Sequence, residues 1–468
     1  MSHVSTVEQS GADAGFKAKF GWVMYDWAAQ PFFTVITTFV FSPYFVNHVA
    51  ATPAEGQSLW GLTQSLAGLA LAITAPFLGS LADRTGPRKP WVYSFSALCI
   101  IACMGLYFAV PGASSDQITL IMACVIAGTI GAEFSIVFTN AMLPSLARYD
   151  RLGRLSGYGW AMGYIGGLLA LVLILWMTGQ LPGVHGPDLG DTPKIAERLS
   201  GPFSGLWFLV FLLPFIIWTP DEGKKDINRS AIMREGASEL WATIKTLPSY
   251  PDMLTFLIAR MIYYDGLNAI FAFGGIYAAH VFGWATIEIG LFGLIILIFG
   301  ILGSLIGGFL DDIIGSKNTL IWSVTGLLLT SVCILSIADG KILFVMETSF
   351  PVEGDGLFAS TAELFLILVA ALLGIVAGPA QAASRSMVVR LAPQQDLGKF
   401  FGLYAFSGKA TSFVAPAVIA AVTLSTGSVR AGTATLIIFI VVGLLLLLRV
   451  NEDRGHALAK ERTIEPDA

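Results

Sequence analysis

Twelve runs of mostly apolar residues, each long enough to cross a bilayer as a helix, divide this chain of 468 residues. They lie at 20–46, 59–82, 91–110, 117–143, 155–178, 203–219, 253–280, 287–310, 318–338, 362–388, 400–424 and 430–449. About 20 apolar residues span the hydrocarbon core. Lipid offers no water to backbone N–H and C=O groups, so each run must satisfy its own and be helical. A transmembrane barrel would alternate apolar and polar residues over short strands, whereas Leu436 to Leu448 is unbroken apolar sequence. Charged residues make up 13% of the chain, against about 25% in soluble domains. The mean hydropathy is +0.73. The expected fold class is an all-α polytopic membrane protein.

Lysine and arginine set the expected orientation. With the N-terminus inside, twenty of the 27 fall on inner segments. Four fall outside (Lys194, Arg198, Lys341, Arg430) and three within spans (Arg260, Arg385, Lys409). The positive-inside rule then places both termini in the cytoplasm. The N-terminal 18 residues are polar and lack a signal-peptide core, so the first span is expected to be retained. The net charge of −5 says little about partners, and the absence of a basic tract argues against nucleic acid. The sequon Asn228-Arg229-Ser230 falls on the inner side, where it is not expected to be used.

One charged loop is written twice. Gly79-Ser80-Leu81-Ala82-Asp83-Arg84-Thr85-Gly86-Pro87-Arg88-Lys89 follows span two, and Gly308-Phe309-Leu310-Asp311-Asp312-Ile313-Ile314-Gly315-Ser316-Lys317 follows span eight. This alignment pairs Asp312 with Asp83, while Ile313 stands in place of Arg84. Tyr25-Asp26-Trp27 in span one echoes Tyr264-Asp265-Gly266 in span seven, and Gly153-Arg154 before span five echoes Gly398-Lys399 before span eleven. Ordered echoes about half a chain apart imply two homologous halves, the organisation of repeat-built transporters. The expected layout is a tail at 1–19, a six-helix bundle at 20–219, a linker at 220–252, a second six-helix bundle at 253–449 and a tail at 450–468. Within the linker, Ser238–Ile244 reads as a short amphipathic surface helix or a solvated connector.

The loop Gly-x-Leu-x-Asp-Arg-x-Gly-x-Arg-Lys resembles the characteristic loop of the major facilitator superfamily. Tyr25-Asp26-Trp27-Ala28, Gln381-Ala382-Ala383-Ser384-Arg385-Ser386 and Phe400-Phe401-Gly402-Leu403-Tyr404 are similar, more narrowly, to the UMF1 branch related to Atg22-like vacuole effluxers. The resemblance implies two pseudo-symmetric six-helix bundles around a central cavity that give access to each side in turn. It implies a secondary active transporter, with a proton or sodium ion as coupling ion and no other cofactor. Amino-acid efflux is associated with the Atg22-like proteins, so an amino acid or related zwitterion is the first expectation for the solute. Another metabolite, a sugar or a lipid-like solute is the alternative.

Asp83 ends span two, where a carboxylate can face the N–H groups of another helix. The resemblance implies that span eleven is the partner and that the contact acts as a cytoplasmic gate. Arg84, Arg88 and Asp312 are the accompanying gate candidates, with headgroups or nearby carboxylates as partners for the basic residues.

A charge at the centre of a span costs roughly 2.5–3.5 kcal/mol on insertion scales, so intramembrane polar residues are candidates for the solute pathway or for coupling. They are Asp26 and Gln30 in span one, Glu133 and Asn140 in span four, Arg260, Tyr264, Asp265 and Asn268 in span seven, Gln381 and Arg385 in span ten, and Lys409 in span eleven. Asp26 with Gln30 and Gln381 with Arg385 share helix faces at a spacing of four. The resemblance implies that spans one, four, seven and ten line the cavity. Arg260 and Arg385 suit a solute carboxylate; Glu133 suits a proton or a structural hydrogen bond. Gly159, Gly163 and Gly167 run down one face of span five and permit close helix packing.

His48 and His280 end spans one and seven and read as interfacial residues or a pH-sensing pair. Cys99 and Cys103 read as packing residues rather than a metal site. No P-loop, His-Glu-x-x-His or nucleophile-elbow motif occurs, so enzyme activity is not expected. A solute sensor without transport is the remaining alternative. The expected partners are the bilayer and a small solute, and the protein is expected to be a monomer.

Overall fold

A computed structural model describes residues 13–464 apart from 182, 191, 222, 224–244, 285, 339 and 353–355. The stretch Ser238–Ile244, the sequon and most of the linker charges lie outside the described residues. Among the described residues, eleven helices are long and apolar enough to cross a membrane. The fold is an all-α polytopic membrane fold.

The first compact unit comprises residues 1–243 together with 393–405. Span one opens with α1 (Phe16–Pro31) and continues through a π-helical stretch, Phe32–Phe39, α2 (Phe41–Tyr44) and a second π-helical stretch, Phe45–Val49. Pro31 has no N–H to give the ladder, and π-turns commonly mark functional places in helices. Then come α3 (Pro53–Thr85), α4 (Lys89–Gly105), α5 (Ser115–Ala141), α6 (Leu152–Met177) and, as span six, α7 (Ile195–Phe211) with α8 (Leu213–Trp218). Thr52 caps α3 by accepting the Glu55 N–H at 3.2 Å, with Pro53 at the first helical position. Ser114 and Gln117 form a capping box on α5.

The second unit comprises residues 244–392 and 406–468. It contains α9 (Pro251–Phe282), α10 (Thr286–Ile314), α11 (Ser316–Leu335), the hairpin β1 (Lys341–Ile342) and β2 (Met346–Glu347), and α12 (Thr361–Leu391). Next are α13 (Leu397–Ser407), whose first residues belong to the first unit, α14 (Val414–Thr426), α15 (Val429–Arg449) and α16 (Glu452–Ile464). Ser360 and Glu363 box the start of α12, and the buried Glu363 also accepts the Trp284 indole N–H at 2.7 Å.

Span eleven departs from expectation. The run 400–424 is not one helix: α13 stops at Ser407, and Gly408–Phe413 are turns before α14 begins. Gly408 costs about 1 kcal/mol in a helix interior. Pro416 cannot donate to the carbonyl four residues before it, that of Ser412. An apolar run therefore hides two helix-breaking residues.

Lipid gives no hydrophobic drive for helices to associate, so close backbone packing matters. The glycines of α6 serve this end against α1. A Cβ on Gly166 would lie 2.7 Å from the Trp27 carbonyl, and one on Gly167 would lie 2.6 Å from the Thr34 hydroxyl.

Candidate functional site

Asp83 ends α3 and is 8% exposed. Its two oxygens accept the backbone N–H groups of Gly398 and Lys399, each at 2.8 Å. These N–H groups belong to the first turn of α13, where no intrahelical acceptor exists and the helix dipole favours an anion. The approach depends on absent side chains. A Cβ on Gly79 would meet the Gly398 carbonyl, and one on Gly398 would lie 2.6 Å from the Gly79 carbonyl and 2.7 Å from Asp83 Oδ1. Arg88 is buried, with its guanidinium 3.4 Å from Asp83. Arg84 is exposed.

A second carboxylate fastens the same loop. Asp221, just after span six, accepts the N–H groups of Arg88 at 2.9 Å and Lys89 at 3.0 Å, at the start of α4. The second half repeats this. Glu452, just after span twelve, accepts the N–H groups of Ser316 at 3.4 Å and Lys317 at 2.8 Å, at the start of α11. Both loops turn through a glycine in the left-handed region, Gly86 at φ 87° and Gly315 at φ 86°, which a side chain would strain.

The repeat corrects the register of the two loops. Asp311, 1% exposed, is the buried carboxylate of the second loop, whereas Asp312 is half-buried. Gly307 stands four residues before Asp311, as Gly79 does before Asp83, and a Cβ on Gly307 would run into Pro379. Gly308 stands at the same spacing before Asp312, so the burial of Asp311, and not the glycine spacing, sets the alignment; the following glycine is displaced by a residue. Asp311 also differs in its partners. It accepts from the Ser316 and Ser386 hydroxyls and lies 3.2 Å from Arg390, which bridges to Glu452 at 2.9 Å. Arg454 and the Asn451 N–H both donate to Asp252, and this pairing holds the guanidinium pKa above its ordinary value. These contacts seat α16 against α9 and α12.

Among the pathway candidates, the second unit brings three together. Arg260 on α9 is 4% exposed, lies over the Tyr264 ring at 4.5 Å and donates to the Ser407 hydroxyl at 2.8 Å. Gly408, where span eleven breaks, leaves room beside the guanidinium: a Cβ there would lie 3.1 Å from Nη1. Asp265 is 3% exposed, and Thr411 in the break stands opposite it. Asn268 is exposed one turn further on, and Lys409 is half-buried within the break. Gln381 is buried and donates weakly to the Ala377 carbonyl, 3.4 Å away; Arg385 is 2% exposed.

In the first unit, Asp26 and Gln30 are half-buried on the face of α1 that meets Gly163 and Gly167, and Gln30 donates to Thr34 at 3.4 Å. Glu133 is half-buried and Asn140 buried on α5. His48 and His280 are exposed, in different units. Among the described residues no cluster of three or more His, Cys, Asp or Glu is placed to hold a metal.

Sequence reading missed Asp221, Asp311, Arg390, Glu452, Ser407 and Thr411. None of them carried a signal in the sequence: Gly307 with Asp311 and Gly308 with Asp312 have the same spacing, and the others are defined by partners far away in sequence.

Two related halves, each with its helix-capping carboxylate, among eleven helices of membrane-crossing length in the described residues, define a transporter of the major facilitator type. The fold matches solved members over almost its whole length. Against the proton:xylose symporter XylE the TM-score is 0.69 at 14% identity, covering 96% of this chain and 98% of that one. Against the human organic anion transporter MFSD10 it is 0.64 at 14% identity, covering 92% and 99%. The chain belongs to the Atg22-like family, described as "Vacuole effluxer Atg22 like", whose profile matches residues 46–460. It is 25% identical to the uncharacterized MFS-type transporter YxiO of Bacillus subtilis over 456 residues, 96% of this chain and 98% of that protein. It is 26% identical over 314 residues to autophagy-related protein 22 of Cryptococcus neoformans, 66% of this chain and 54% of that protein. The chain thus spans about half the length of its Atg22 relatives.

Proposed function

We propose that this protein is a secondary active transporter that moves a small carboxylate-bearing solute, an amino acid or related zwitterion, by alternating access. The observation that carries the reading is the break in span eleven beside Arg260 and Asp265. Discontinuous membrane helices characteristically form transporter binding sites. A guanidinium on an aromatic face, with a hydroxyl as its neighbour, presents a planar fork suited to a carboxylate. The solute carboxylate would take the place of the Ser407 hydroxyl on Arg260, and Tyr264 would wall the site. Asp83 supports the alternating part: its bonds to the first turn of α13 are a latch that forms in one state and breaks in the other. The coupling ion is a cation, and both termini face the cytoplasm.

The test is counterflow of radiolabelled L-amino acids into proteoliposomes preloaded with the unlabelled mixture. Wild-type protein should accumulate label transiently, and Arg260→Gln should abolish this while retaining its thermal stability. Equal counterflow by the variant, or counterflow of sugars and not of amino acids, would overturn the reading.

A further inference from the structure

The hairpin between α11 and α12 departs from soluble hairpins in two ways. Leu343, Phe344 and Val345 make its turn, Met346 opens β2, and all four are 42–76% exposed. Four consecutive exposed apolar residues are a liability in water. Leu343 and Phe344 also hold φ at 51° and 67°, in the left-handed region. Hairpin turns fill such positions with Gly, Asn or Asp, because a bulky side chain is strained there. Strain of this kind persists only where the surroundings compensate it.

The chain puts this tip at the membrane surface. α11 ends at Leu335, shortly before β1 begins at Lys341. Arg430, at the start of α15, joins the two elements. Its Nε donates to the Leu335 carbonyl at 2.9 Å, and its guanidinium lies over the Phe344 ring at 5.7 Å. The first unit has the same clasp on a short turn. Arg198 of α7 donates to the Tyr107 carbonyl at 3.1 Å and lies over the Tyr107 ring at 4.6 Å, with Phe108 exposed beside it. Aromatic rings at that level form the interfacial belt of membrane proteins. The second unit reaches the same level with a hairpin and adds Leu343, Val345 and Met346. Beneath the tip, Leu329 of α11 and Ile438 of α15 are exposed apolar residues, and a membrane span turns such residues to lipid. The tip therefore extends a surface that already meets acyl chains.

The neighbouring charges favour no headgroup of either sign. Lys341 and Glu347 stand opposite each other in the ladder, both exposed and of opposite charge. They offset each other, which leaves the apolar side chains as the source of affinity. The turn backbone is partly satisfied within the hairpin. The Leu343 N–H donates to Ser336 Oγ at 3.0 Å, and the Phe344 N–H reaches the Ser336 carbonyl at 3.5 Å. This suits the headgroup level, where water completes the rest, and not the hydrocarbon centre.

We propose that the β1–β2 hairpin is a lipid anchor: Leu343, Phe344, Val345 and Met346 seat in the boundary between headgroups and acyl chains, in the leaflet at the Leu335 end of α11. Apolar side chains at such a boundary lie about 5–10 Å deep. Because Phe344 lies beneath Arg430, lipid that holds the tip also holds the ends of α11 and α15 together.

The test puts a fluorescent label on the tip, at Val345→Cys, in protein whose Cys99, Cys103, Cys124 and Cys333 are changed to alanine. The purified protein is set in phosphatidylcholine nanodiscs, which leave both faces open to solvent. Thr192→Cys, in the exposed loop before α7, is the control. A lipid with a doxyl group near the headgroup end of its chain should quench the tip label severalfold more than the control. Iodide in the water should do the reverse, and added phosphatidylglycerol should change neither result. A tip label quenched by iodide and not by doxyl lipid would belong to a solvated loop and overturn the proposal. Protection from both quenchers would mean that protein covers the tip, a second copy or the rest of this chain, and would overturn it equally. Lipid quenching that requires phosphatidylglycerol would assign the contact to headgroup charge and overturn the acyl assignment. If Val345→Cys does not fold, Met346→Cys takes its place with the same outcomes.

Discussion

Asp83 accepts the backbone N–H of Gly398 at 2.8 Å across 315 residues of sequence. Hydrogen bonds to a charged group contribute about 1.5–3 kcal/mol each, and removing one leaves the partner unsatisfied. Asp83→Ala should therefore shift the latch toward its broken state by about tenfold or more. The readout is the maleimide labelling rate of a cysteine placed at Lys399, since the four native cysteines are buried or half-buried. An unchanged rate would sink the latch.

The same contact can be broken sterically. A Cβ on Gly398 would lie 2.6 Å from the Gly79 carbonyl and 2.7 Å from Asp83 Oδ1, so Gly398→Ala should lift α13 away from α3. Both substitutions disturb one contact, so their effects should be strongly non-additive. Gly398→Ala combined with Asp83→Ala should label hardly faster than Asp83→Ala alone. Simple additivity would mean that Asp83 acts elsewhere.

Legibility in the sequence followed the rarity of charge. In an apolar chain the spans, the doubled loop and Asp83 stood out, because burying a charge in lipid is costly and such residues are few. The break in span eleven did not stand out, because hydropathy is blind to Gly408 and Pro416 within an apolar run. Asp311 was one residue from the position that the downstream glycine suggested. Asp221 and Glu452 stand in no motif of the sequence; their role exists only once the chain returns from span six to the start of α4, and from span twelve to the start of α11.

Packing of α6 on α1 allows a graded test within one glycine-rich face. A Cβ on Gly163 would meet Asp26 no closer than 3.5 Å, an ordinary contact, whereas one on Gly166 would lie 2.7 Å from the Trp27 carbonyl. Gly163→Ala should change thermal stability little. Gly166→Ala should cost about 1–3 kcal/mol, as overpacking does. Melting of the purified variants in detergent checks the order, and equal losses would contradict the packing described.

Arg390 supplies the last prediction, because two ion pairs of α16 and its neighbours should behave oppositely. The Arg390 side chain is 8% exposed and lies between Asp311, 1% exposed, and Glu452. Arg390→Met leaves Asp311 buried without its cation, and breaking such a pair costs about 3–5 kcal/mol. Adding Asp311→Leu removes the stranded carboxylate, so the double variant should recover much of the loss. Asp252 is 2% exposed, but Arg454, which donates twice to it, is 62% exposed, so water reaches this pair from the guanidinium side and screens it. Arg454→Ala should leave the melting temperature almost unmoved, with Asp252 still held by the Asn451 N–H. A double variant less stable than Arg390→Met alone would show that Asp311 does not depend on the guanidinium.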